Sequence, residues 1–137
     1  MAHRKWYRKL VETDDILAMV GRLLLSAIFL ASAFGKITNF EATIRYMDAH
    51  GIPWAAALCA TAAALEVLGG VSLLLGFQTR LGALGLAAFL IMTTWIFHRG
   101  PEQRIHLLKN IAILGGLMQV AAFGSGAMSL EGRRRSS

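Results

Sequence analysis

Charge is scarce in this sequence, and so are the residues that break or cross-link a chain. Asp, Glu, Lys and Arg make up 16% of its 137 residues, against about 25% in a water-soluble domain. A surface that faces mainly water is therefore excluded. There is one cysteine, Cys59, so no disulfide can close within the chain and no Cys-x-x-Cys pair exists. Only two prolines occur, Pro53 and Pro101, which leaves long stretches free to remain helical. Glycine-rich phosphate loops, nucleophile elbows and zinc signatures are also missing. The soluble enzyme classes that depend on them have no support here.

What is present is apolar sequence in long runs. Ile16 to Phe34 carries a single charge, Arg22, and Ile52 to Phe77 carries only Glu66. Leu81 to Phe97 and Asn110 to Leu130 carry none. A helix needs about 20 mostly apolar residues to cross a hydrocarbon core of about 30 Å. A soluble helical bundle would instead show polar stripes at helical spacing, and Leu81 to Phe97 has no such stripe. The reading is an all-α, polytopic membrane protein with four transmembrane helices in one bundle. The expected spans are about 16–36, 53–76, 81–98 and 105–124, within a membrane domain of 16–124.

The flanks fit this organisation. The net charge of +6 could suggest nucleic acid, but the basic residues cluster at span ends. Arg4, Lys5, Arg8, Lys9, Arg80 and Arg133 to Arg135 fall on one side, eight in all, and Lys36, Arg45, Arg99, Arg104 and Lys109 on the other. The positive-inside rule then predicts both termini in the cytoplasm, with headgroups as the basic residues' partners and no nucleic acid; the expected location is the cytoplasmic (inner) membrane. Residues 1–15 read as a basic interfacial segment. Trp6, Tyr7 and Leu10 lie among its basic residues in a short surface helix, and Thr13-Asp14-Asp15 follows as candidate N-caps. Ala31-Ser32-Ala33 resembles a signal-peptidase site, but the run around it is too long for a leader and contains Arg22, so the first helix is expected to be retained.

Thr38-Asn39-Phe40-Glu41 reads as a capping box opening a short amphipathic helix with Phe40, Ile44 and Met47 on one face, resting on the outer surface. Pro53 suits the first turn of the second span. Gly76 to Arg80 reads as a tight turn, and Arg99 to Glu102 as a break. Small residues at Gly69, Gly70, Gly82, Gly85, Gly115 and Gly116 mark expected helix contacts. Residues 125–137 read as a basic tail.

Polar groups inside the spans are the candidate site. With a rise of about 1.5 Å per residue, Arg22, Glu66 and Gln119 all fall about 20 Å from the outer face. Buried charges in lipid need partners. The expectation is therefore an Arg22–Glu66 ion pair completed by Gln119, serving either as a proton-handling site or as a clasp that fixes helix register. A second set, Lys36, His98, Lys109 and Asn110, lies nearer the outer face, with His50 and His106 in flanking segments. These are candidate contacts for a quinone carbonyl or an anion; the alternative for Lys36 is snorkelling to headgroups. No metal site is expected, because His98 and His106 lack a carboxylate or cysteine at ligand spacing.

These residues resemble the DoxX family of small four-helix membrane proteins. Arg22 through Phe34-Gly35-Lys36 is similar to that family's opening helix, and His50-Gly51-Ile52-Pro53 to its lead into the second. Leu65-Glu66-Val67-Leu68-Gly69-Gly70, followed by Leu74-Leu75-Gly76 and Thr79-Arg80, resembles its most recognisable stretch; Lys109-Asn110 with Gly115-Gly116 resembles the fourth helix of one subgroup. The resemblance covers about Ile16 to Gly124. Ala33 departs from it, where the family often has glycine. The family is named beside a subunit of a thiosulfate:quinone oxidoreductase, and some members are linked to thiol and oxidative-stress handling. The resemblance thus implies a quinone-linked or sulfur-related redox subunit with no covalently bound cofactor. The alternative is a non-catalytic accessory or assembly subunit of a membrane complex, whose partners are other protein subunits.

Overall fold

In the computed structural model, which describes residues 2–97 and 100–137, the chain is helical almost throughout. Four long helices form the bundle: α1 (Ala2–Thr38), α3 (Ala55–Leu75), α4 (Thr79–Phe97) and α5 (Arg104–Phe123). A short α2 (Phe40–Ala49) and a terminal α6 (Leu130–Ser136) sit at opposite ends of it, and Pro101–Gln103 forms a 3₁₀ turn before α5. Among the described residues, four helices are long and apolar enough to cross a membrane.

α1 does not divide where the sequence suggested. Its 37 residues run as one helix, about 55 Å long, because no glycine or proline interrupts it before Gly21. The Thr13 hydroxyl donates back to the Lys9 carbonyl inside the helix instead of capping a new one. Roughly the first 12 residues therefore extend beyond the packed bundle, and their side chains from His3 to Asp14 are exposed.

The expected capping box is likewise not formed. Asn39 is the N-cap of α2 with no side-chain cap bond, and Thr38 donates backward to the Phe34 carbonyl. Pro53 lies in the turn ahead of α3, whose N-cap is Trp54 in a left-handed conformation. The apolar face of α2 is the anticipated one. Phe40, Ile44 and Met47 pack on Ile52, Ala55, Cys59 and Phe97, so α2 closes one end of the bundle.

Glycines mark close approach between α3 and α4 near their turn and between α1 and both α3 and α5. Gly69 and Gly70 leave no room for a Cβ beside Leu86 and Leu30, and Gly82 meets Ser72. Gly116 faces Leu25, whereas Gly85 and Gly115 face open space and carry no contact. The main core, Phe29, Leu73, Leu86, Leu90 and Leu117 with Ala83 and Ala87, lies between α1, α3, α4 and α5.

Candidate functional site

The buried charges form two separate sets. At the turn end, buried Arg22 points its guanidinium at the carboxyl end of α3. Nη1 donates to the Leu73 carbonyl at 2.7 Å, and Nη2 donates to the Met128 carbonyl at 2.8 Å. The Leu73 carbonyl, in the last turn of α3, has no intrahelical partner and lies at the negative end of the helix dipole, whereas Met128 belongs to the loop between α5 and α6. The segment after α5 folds back to complete the arrangement. Glu131 accepts from the Thr79 amide at the start of α4 at 3.1 Å, and its own amide donates to the Gly76 carbonyl at 3.1 Å. Ser125 donates to the other Glu131 oxygen at 3.1 Å. Arg22 and Glu131 thus tie three chain segments together through helix ends.

Toward the α2 end, buried Glu66 is paired with Lys36. The Lys36 ammonium donates to both carboxylate oxygens at 3.0 Å each and to the Ser32 hydroxyl at 2.7 Å. Ser32 in turn donates to Glu66 at 2.9 Å. Ser32 and Lys36 are four residues apart on α1 and share one face, which turns both toward α3. Asn110, also buried, donates to the Thr94 hydroxyl at 2.9 Å and joins α5 to α4.

The expected Arg22–Glu66 pair is therefore corrected. In the antiparallel α1–α3 packing, Ser32 and Lys36 stand opposite Glu66 while Arg22 stands opposite Leu73 to Gly76. The two residues are offset along the axis by roughly 10–15 Å at helical rise. Gln119 is exposed on α5 and completes no buried set. Lys36, expected near the outer face, is the true partner of Glu66. His98 lies outside the described residues. Lys109 is exposed at the edge of α5, and among the described residues its ammonium has no hydrogen bond or ion pair.

A cavity of about 510 Å³ lies between the helices at this level. Its walls are mostly apolar, from Phe29, Leu58, Phe89, Leu90 and Ile113 among others, and Ser32, Lys36, Glu66, Lys109 and Asn110 open onto it. This size falls in the range of small-molecule sites, about 300–1,000 Å³. A few convergent polar groups in an apolar chamber can orient a polar head while excluding water. Cys59 also borders the cavity. Its sequence context, an apolar helix, gave no sign of that placement. Among the described residues no three His, Cys, Asp or Glu side chains converge as metal ligands.

A bundle of four membrane-crossing helices around a lined cavity defines a class: small integral membrane proteins with an intramembrane cavity. Within that class, the DoxX family model matches residues 17–99, and the chain belongs to this family. It is 35% identical over 121 residues to the Escherichia coli inner membrane protein YqjF, covering 86% of this chain and 92% of that one. It is 30% identical over 127 residues to the Escherichia coli inner membrane protein YphA, covering 86% and 90%. No solved structure matches the chain.

Proposed function

We propose that this DoxX-family protein is an inner-membrane redox subunit whose cavity receives a quinone-type headgroup. The observation that carries the reading is the cavity itself, whose largely apolar wall carries Lys36, Ser32 and Glu66 from α1 and α3 and Lys109 and Asn110 from α5. A clasp that served only helix register would not require an open chamber beside it. The residues fit the group. The ammonium, hydroxyl and amide donors suit carbonyl oxygens, and the apolar walls suit the ring. When bound, a quinone accepts two electrons and two protons in going to the quinol. Lys109 would orient its oxygens by donating hydrogen bonds, Lys36 would do so by turning one of the N–H groups it gives to Ser32 and Glu66, and Glu66 would hold Lys36 in place. The apolar surroundings of the pair, with Glu66 buried, lower the local dielectric and strengthen it. Electrons must come from another subunit, because the chain has no redox-active side-chain pair.

Eight basic residues flank the end that carries both termini, which supports cytoplasmic N- and C-termini. The alternative, a non-catalytic accessory subunit, draws on the exposed N-terminal half of α1, with Trp6, Tyr7 and Val11 on its surface. The test is purification in lipid nanodiscs cut from native membranes, followed by extraction and mass spectrometry. Quinone retained by the wild type and lost in Lys36→Met is expected. A stoichiometric protein partner with no quinone in either form would favour the accessory reading.

A further inference from the structure

The cavity is roofed at the α2 end and open along its side. Thr43, Tyr46 and Met47 of α2 line its top. Over them Tyr46 stacks on Phe97 at a centroid distance of 5.8 Å, with His50 4.2 Å from Tyr46. The side wall behaves differently. Near the turn, α3 and α4 are pinned where Gly69 meets Leu86 and Gly82 meets Ser72. Steps of three and four residues along the same facing sides lead to Leu65, Thr61 and Leu58 on α3 and to Met92 and Ile96 on α4. These residues line the cavity, yet Leu58 and Leu65 are each 43% exposed, Met92 52% and Ile96 45%. Exposed residues of both helices thus border the cavity here, which makes the space between α3 and α4 its outward opening. Thr61 is about 9 Å along α3 from its start, so the gap faces bilayer hydrocarbon.

We infer that the ligand is a tailed amphiphile that enters from the lipid between α3 and α4 and leaves its chain in that gap, with its head at Lys36, Glu66 and Asn110. The inference rests on the quinone reading above and specifies the substrate class. Charge supports an oxygen-rich head. Lys36 and Glu66 neutralise each other, which leaves the cavity with the uncompensated charge of Lys109.

The test measures binding of two probes by calorimetry in detergent. One is 2,3-dimethoxy-5-methyl-benzoquinone with a decyl chain, the other the same ring without it. Leu65→Trp and Met92→Trp fill the gap, and Leu68→Trp, exposed one turn nearer the hairpin and outside the cavity lining, controls for an added indole. The decyl probe should bind the wild type and Leu68→Trp alike, and weaken about tenfold in the gap variants, the cost of overpacking one wall. The chainless ring should be little affected. Equal affinity of both probes with no effect of the gap variants overturns the chain path and leaves the head site standing. Equal weakening of both probes also overturns it. Failure of both probes to bind the wild type removes the quinone reading and this inference together.

Discussion

Both carboxylate oxygens of Glu66 are held by donors from α1, so its charge is compensated entirely within one helix pair. Removing one partner leaves the other without its counter-charge in an apolar wall, whereas removing both leaves an apolar contact. Glu66→Gln should lower stability by about 1–3 kcal/mol, read as thermal unfolding by circular dichroism in detergent. The double variant Lys36→Met/Glu66→Met should recover most of that loss. A double variant less stable than both singles would contradict the pairing. Both residues were legible as candidates in the sequence, Glu66 as the one charge in its apolar run and Lys36 as a charge just past the end of another. Their pairing was not. It depends on the α1–α3 register, which Leu30 against Gly70 sets, and depth counting from presumed span starts cannot supply that register.

The α3–α4 hairpin is the element on which the turn end depends. Gly76 adopts φ +67°, and a Cβ there would collide with Ser129 and the Arg22 guanidinium. Gly76→Ala should cost about 2–4 kcal/mol, from left-handed backbone and overpacking combined, measured in the same unfolding experiment. Glu131→Ala removes the acceptor at the start of α4 and should release the terminal segment. Hydrogen exchange should then rise in residues 125–136 and stay unchanged in α3 and α4 away from the turn; uniform exchange across the chain would contradict a local latch. The four bundle helices and the tight turn were readable from hydrophobic runs and from Gly76 to Arg80. The continuity of α1 was not, because Thr13-Asp14-Asp15 carries a cap signal that an unbroken helical stretch overrides. Nor was α6, whose anchoring to Gly76 and Thr79 is a tertiary contact across the turn.

For the whole molecule, two jobs fall at different positions along the bundle: helix-end anchoring by Arg22 at the turn end and, under the proposed function, ligand contact by Lys36 and Glu66 toward the α2 end. The most direct measurement compares Arg22→Lys with Lys36→Met, each assayed for thermal stability and for affinity to the decyl benzoquinone, at a temperature where both remain folded. Arg22→Lys should lower the melting temperature, because lysine cannot reach the Leu73 and Met128 carbonyls together, while leaving quinone affinity near wild type. Lys36→Met should lose quinone affinity. The reverse pattern, with affinity lost at Arg22 and kept at Lys36, would contradict the account.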